Sequence, residues 1–261
     1  MNVQQALSSS FGALNKTFYT RRSRSLLGRF SHRILSRDMG VCFSRSPKRS
    51  DVTEAVLLYW LGDPARFRKT WDPCTTPENQ AKWFMKNDDV DREIKDRFGA
   101  EVERLPETIA SVSASGTTDD RIAAIILGDQ MSRNIYRGSK DMYRWDSIVL
   151  PLAKSVVANE EAFMTYPLTF KLFSLLPLMH SEDVVDQRAC CAWVERVREA
   201  VPEGEEGASA REFLDHMSGY AKAHCEIVER WGRFPHRNEI LGRESTAEEA
   251  KGLADGTIQA F

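Results

Sequence analysis

A chain of 261 residues with 42% hydrophobic and 28% charged residues has the composition of an ordinary globular protein with one substantial core, which excludes the disordered and fibrous classes. No run of eighteen apolar residues occurs, so the sequence predicts no transmembrane helix. The five cysteines form no CxxC pair, which argues against a disulfide framework or a zinc knuckle and favours reduced thiols.

The net charge of −2 conceals an asymmetry between the first fifty residues and the rest. Residues 1–50 contain ten Lys or Arg and one acid, which gives +9, whereas the remainder contains 26 basic and 37 acidic residues, which gives −11. The same segment contains ten serines, and Leu26, Phe30 and Ile34 follow a helical spacing opposite arginines.

This composition is typical of an amphipathic mitochondrial transit peptide. A basic disordered arm that binds nucleic acid or a membrane surface is the less favoured alternative. We therefore expect residues 1–50 to lack a packed structure and to direct the chain to mitochondria, with the matrix as the favoured compartment.

From Asp51 onward the sequence predicts successive helices. Asp51 can cap a first helix that ends at Gly62, and Pro77 occupies the first position of a second. A third helix is predicted to stop at Pro106, after which residues 110–120 are expected to form a loop.

Further helices are predicted from about Asp119, over roughly 142–158, and through the apolar region 168–201, which Pro177 is expected to interrupt. A linker, 202–209, follows. Two capping boxes, each a Ser followed three residues later by a Glu, are predicted to start the last helices: Ser209 with Glu212, and Ser245 with Glu248.

The periodicity as a whole indicates the fold class. No segment alternates with period two over a convincing length, and the β-branched residues fall within helical patterns. We therefore predict a single all-α domain over residues 51–261, with about seven to nine helices in antiparallel pairs. No thirty-four-residue self-match is evident, so any repeat array must be divergent.

One predicted helix continues its apolar stripe as a row of polar residues. Five residues fall at spacings of 4, 3, 4 and 3 along this stripe: Ile122, Ile126, Asp129, Arg133 and Tyr136. Asp129 and Arg133 should therefore face each other within a buried stripe. A second row lies beside it: Gln130, Asn134 and Arg137. Because a buried charge is costly unless it is paired, partners must come from elsewhere in the chain.

Two later segments offer polar groups where burial is also predicted. Ser181 can cap a helix with Glu182 and Asp183 in its first turn, and His180 lies at that junction. His224 lies on the apolar face of a later helix. A loop after that helix is dense in charged and amide groups: Arg233, His236, Arg237 and Asn238. We expect the three segments to meet in space.

Three segments resemble the signature motifs of the domain of unknown function 924 family: DQMSRNIYRG, LPLMHSEDVVDQ and GRFPHRNEILGRESTAEE. The resemblance covers about Ala55 to Leu253, with AVLLYWLG similar to the family's first helix, and implies a divergent tetratricopeptide-like helical array but no activity. The family has Phe-Pro where this chain has Met131 and Ser132, so this helix is expected to run on. The typical bacterial form also lacks the basic arm, which fits import into an organelle.

The polar segments leave several interpretations open. No HExxH-like spacing fixes a metal site, so no metal or cofactor is predicted, and Ser181 beside His180 is better explained as a cap than as a nucleophile. The arginines and His236 can converge on a phosphate or carboxylate. Alternatively, the acids of the same segments pair with those arginines in a buried network, which is the favoured interpretation.

Two classes of function follow. The favoured one is a helical scaffold that binds a protein partner in a mitochondrial complex. The alternative is a small-molecule enzyme or sensor built around an anion pocket. Nucleic acid is not an expected partner.

Overall fold

Helices account for most of residues 49–259, the part of the chain that this computed structural model describes, and no strand occurs there. The prediction of an all-α domain is therefore confirmed. The prediction for the N-terminal arm falls outside the described residues, apart from Arg49 and Ser50, which begin the first helix. Within the described range, no helix is both long and apolar enough to cross a membrane.

The helices follow one another with short connections. Those of the first half are α1 (Arg49–Leu61), α2 (Pro64–Phe67), α3 (Pro77–Phe84), α4 (Asp88–Glu103), α5 (Leu105–Ser115), α6 (Thr118–Ile125), a π-helix (Ile126–Met131) and α7 (Ser132–Ile135). A 3₁₀ turn (Lys140–Tyr143) precedes those of the second half: α8 (Asp146–Val157), α9 (Glu160–Thr165), α10 (Leu168–Met179), α11 (Val184–Glu199), α12 (Glu205–Trp231), a 3₁₀ turn (Pro235–Arg237), α13 (Asn238–Leu241) and α14 (Ala247–Asp255).

The helix α10 lies at the centre of the core. All but one of its residues are buried, because it packs against α6, α8, α11 and α12. The pair α11 and α12 is antiparallel, since Arg198 pairs with Asp215 at one end and Arg188 with Glu229 at the other. The domain is thus layered around an apolar helix whose C-terminal end carries a polar junction.

The prediction of a loop over residues 110–120 is wrong. The helix α4 ends at Glu103, shortly before Pro106, but a new helix, α5, covers Leu105–Ser115 with Pro106 in its first turn. Leu105 and Val112 are buried on one face of α5, so packing outweighs the low helix propensity of its serines. Asp51 is likewise not a cap, because α1 already begins at Arg49.

Several predicted boundaries in the second half also need correction. The region 142–158 is divided between a 3₁₀ turn and α8. Pro177 lies inside α10, where only a short end of helix follows it. The helix α12 starts at Glu205 after Gly204, whose φ is 90°, so Ser209 is an internal residue. The last capping box lies one residue later than predicted and consists of Thr246 and Glu249.

Candidate functional site

The π-helix occupies the stretch where the apolar stripe turns polar. It follows α6, and within it Gly128 lies against two neighbouring helices. A Cβ at this position would come within 2.4 Å of Val149 in α8 and 2.5 Å of Leu105 in α5. Only glycine therefore allows this close approach, which places Asp129 at 1% exposure inside the domain.

Asp129 is held by three side chains. His180 Nδ1 lies 2.8 Å from its Oδ1, Gln130 donates to its Oδ2 at 2.6 Å, and Arg133 lies 3.6 Å away, as the i,i+4 spacing predicts. Burial acts to raise the pKa of Asp129, but the charges of His180 and Arg133 and the hydrogen bonds to it lower the pKa to about 2. Asp129 is therefore a carboxylate at neutral pH.

Arg133 joins this site to α8. Its Nη1 and Nη2 each donate to Asp146 at 3.0 Å, and Nη1 also donates to the carbonyl of Met142 at 2.9 Å. Burial acts to lower the pKa of Arg133, but Asp129 and Asp146 raise it above its ordinary value. The arginine thus lies between two carboxylates, and its guanidinium lies 5.2 Å from the ring of Tyr143.

The second polar row belongs to a different contact. Asn134 donates to Asp91 in α4 at 2.8 Å, and Arg137 donates to both oxygens of the same carboxylate at 2.6 and 3.1 Å. This group fastens α7 to α4 and includes no contact with His180. Periodicity gave no sign of Asp91 as the partner, because its helix carries acids at many exposed positions.

The C-terminal loop reaches the same site through Arg237. Its Nη1 donates to the carbonyl of His180 at 3.0 Å, and its guanidinium lies 4.7 Å from the ring of Tyr143, which Arg133 also approaches. The His224 ring lies 6.4 Å from that of His180. The three segments therefore meet at these side chains.

The remaining predicted residues fasten the C-terminal segment instead. Glu182 precedes α11, which begins at Val184, and so does not lie in its first turn. Its carboxylate pairs with Arg243 at 2.6 Å and accepts a hydrogen bond from the backbone N–H of Phe234. Asp183, which was expected in that first turn, caps the helix in place of Ser181. Arg233 pairs with Glu249 at 2.7 Å.

Asn238 and His236 of the C-terminal loop are also buried, to different extents. Asn238 donates to Ser245 at 3.1 Å and is buried. His236 is half-buried, and desolvation together with the charge of Arg237 lowers its pKa to about 4. His236 is therefore neutral at physiological pH and does not contribute a positive charge to an anion site.

Arg237 differs from its neighbours because it has no acidic partner in the described part of the chain. It is 7% exposed, its Nε is buried without a hydrogen bond, and no carboxylate of the described residues lies within 4 Å. Burial and the charge of Arg133 lower its pKa. The rings of Phe234, at 4.3 Å, and Tyr143 offset part of this cost through cation–π contacts.

Sequence reasoning missed several residues of the site and one buried amine outside it. Tyr143 and Asp146 belong to a segment that gave only a helix prediction. Lys171 lies inside the apolar run of α10, is fully buried 4.6 Å from the ring of Trp71, and has a pKa lowered by burial to about 8. A lysine within an apolar run could have been recognised from the sequence as a buried amine. No group of acids, cysteines and histidines in residues 51–259 could hold a metal ion.

Comparisons with known proteins agree with this architecture. A solved protein of unknown function from Agrobacterium tumefaciens is 26% identical and covers 80% of this chain and 100% of its own, with a TM-score of 0.57. No curated protein matches the chain. The model of the family described as bacterial protein of unknown function (DUF924) matches residues 56–257. The chain therefore belongs to the DUF924 family.

Proposed function

We propose that this protein binds a small carboxylate at Arg237. The observation that supports the proposal is a buried guanidinium with one hydrogen bond to protein and no carboxylate partner among the described residues. A buried charge without a counterion lowers the stability of the protein by roughly several kcal/mol unless another group compensates it. An anion from solution would provide that compensation.

The arrangement of atoms favours a flat anion. The Nη1 group of Arg237 is occupied by the His180 carbonyl, whereas Nε has no partner. The edge formed by Nε and Nη2 can donate two parallel hydrogen bonds to one carboxylate. Arg133 and Arg243 each have an acid within 4 Å, whereas Arg237 has none among the described residues, so one guanidinium is left without a direct counterion. One free two-donor edge matches the two oxygens of a carboxylate, which carries less charge than phosphate.

Thermal unfolding of the full-length protein tests this proposal. We expect acetate and succinate to raise Tm at constant ionic strength more than chloride or inorganic phosphate, because binding to the native state alone stabilises it. Arg237→Met should abolish the response, whereas Arg188→Met, at an exposed ion pair, should retain it. A Tm that none of these anions changes, or a response that survives Arg237→Met, would overturn the proposal.

We also propose that the protein acts in mitochondria, which the +9 charge of residues 1–50 supports. A fusion of these residues to a fluorescent protein should colocalise with a mitochondrial marker. A matched fusion in which the arginines of residues 21–37 are glutamines should not. Diffuse cytosolic fluorescence of the first fusion would contradict the proposal.

A second candidate function is a scaffold that binds the basic amphipathic helix of a partner protein. A groove of about 750 Å³ between α1, α2 and α6 supports it, since apolar residues line it beside three carboxylates and only one arginine. Leu58 is 40% exposed there, and Glu54 lies one turn before it. This charge balance complements a basic helix.

Photo-crosslinking distinguishes this candidate from anion binding alone. A crosslinking amino acid at Leu58 should capture a protein through a basic helical segment, and the added substitution Glu54→Lys should reduce that capture. The same crosslinking amino acid at Val185, which is 68% exposed on α11, should not capture that protein. Equal capture at both positions, or capture insensitive to Glu54→Lys, would exclude the groove as the docking surface.

A further inference from the structure

We infer that His180 is a general base, oriented by Asp129, that removes a proton from a small carboxylic acid derivative bound at Arg237. The inference rests on the proposed function for the binding of the ligand and extends it to a reaction. Three observations carry it: the protonation of Asp129, the geometry of His180, and the hydrogen bond between His180 and Arg237.

The hydrogen bond between His180 and Asp129 fixes the imidazole tautomer. Asp129 is a carboxylate and therefore only accepts hydrogen bonds, so Nδ1 of His180 must carry the proton across the 2.8 Å contact. In the neutral imidazole the lone pair is then on Nε2. A buried acid that orients an imidazole in this way is the arrangement by which histidine serves as a base in enzymes.

The imidazole of His180 is partly exposed to solvent. No described residue forms a hydrogen bond with Nε2 of His180, and the side chain is 18% exposed. The neighbouring His224 is unlike it, because its ring is buried and its pKa is lowered by burial to about 3. A ligand can therefore contact His180, whereas His224 is buried beside it.

The position of Arg237 defines the class of ligand. Arg237 donates through Nη1 to the backbone carbonyl of His180, so the guanidinium directly contacts the residue that carries the base. A 2-oxo acid fits both groups, since its carboxylate binds the guanidinium and the carbon beyond its carbonyl carries a removable proton. The tyrosine and phenylalanine rings beside Arg237 offer apolar surface for a short carbon chain.

The step itself is a reversible proton transfer. A C–H bond of the ligand breaks, its electron pair stays on the ligand as an enolate, and an N–H bond forms at Nε2. The imidazolium that results faces the carboxylate of Asp129, which stabilises it. Return of the proton, or of a deuteron from solvent, to carbon restores the starting state, so no co-reactant is consumed.

Hydrogen exchange measures this step directly. In deuterated buffer, we expect the full-length protein to accelerate exchange of the C3 protons of pyruvate or 2-oxoglutarate about a hundredfold over buffer. His180→Gln and Asp129→Asn should remove most of the acceleration, whereas His216→Gln, at an exposed histidine of α12, should not. No acceleration with either acid would overturn the inference.

Nitrogen NMR separates this inference from the proposed function. We expect the side-chain ¹⁵N spectrum to show His180 as the Nδ1–H tautomer, and succinate to shift its Nε2 resonance. A Tm response to succinate with His180 in the other tautomer would refute the general base and leave anion binding intact. The expected tautomer without any Tm response would instead refute the carboxylate site and, with it, the inferred reaction.

Discussion

Replacing Arg133 with alanine tests whether the paired part of the site holds the domain together. Arg133 neutralises Asp129, which is 1% exposed, and donates two hydrogen bonds to Asp146, whose side chain is 29% exposed. Removal of one partner from a buried ion pair costs about 3–5 kcal/mol. Asp129 retains the hydrogen bonds from His180 and Gln130, and Asp146 can be hydrated, so we expect the lower end, about 3 kcal/mol.

Urea unfolding followed by circular dichroism measures this loss at pH 7. The control is Arg188→Ala, at a pair whose side chains are 67% and 40% exposed, and it should leave the free energy of unfolding unchanged within error. Arg237→Met should also not be destabilising, because Arg237 has no acidic partner among the described residues. An Arg133→Ala protein as stable as its parent in ligand-free buffer would refute the reasoning.

Three further predictions concern buried positions. Gly128→Ala should lower the free energy of unfolding by about 1–3 kcal/mol in urea, because its Cβ would overlap Val149 and Leu105. The pKa of His224 is lowered to about 3 in the folded protein, so below pH 6.5 the unfolded chain binds more protons and the free energy of unfolding falls as pH decreases. His224→Leu should reduce the slope of the free energy of unfolding against pH by about 1.4 kcal/mol per pH unit near pH 5. Lys171→Met should raise the free energy of unfolding by about 3 kcal/mol at pH 7, since burial lowers the lysine pKa from 10.5 to about 8 and the charge penalty is fully present below that pH.

Matched variants make these predictions specific. Gly99→Ala, at a position where the nearest atom is 3.8 Å from the added carbon, should not destabilise the protein. Lys95→Met, at an exposed lysine of α4, should not reproduce the gain of Lys171→Met. An unchanged pH slope in His224→Leu would show that the histidine is already protonated in the folded state. Equal stability of Gly128→Ala and its parent would show that the π-helix can move away from α5 and α8.

The sequence predicted the fold class because helical periodicity is a local property. Thr76 with Pro77 and Gly232 mark helix ends as expected, since caps depend on one or two residues. The errors arose where tertiary contacts decide the conformation. The helix α5 consists largely of small residues and carries too few apolar side chains to be recognised, yet Leu105 and Val112 anchor it in the core.

The site could be predicted only in part for the same reason. The pairing of Asp129 with Arg133 follows from their spacing on one helix, and burial of that stripe implied partners elsewhere. Which partners these are depends on how helices pack, so Asp146 and Asp91 could not be found from the sequence. The distinction that matters most, between Arg237 and the paired arginines, requires distances between side chains.

The π-helix explains how adjacent turns of one helix serve two different neighbours. Its wider turn changes the direction of the side chains relative to an ordinary α-helix, so that Asp129 meets His180 at the end of α10 while Arg133 meets Asp146 in α8. The Ser132 hydroxyl donates to the carbonyl of Gly128, and its backbone N–H reaches Leu127; a proline at this position could make neither bond. The expectation that the helix runs on is confirmed, since it continues through Ser132 and ends at Ile135. In this chain, therefore, a serine stabilises the turn that orients the proposed base.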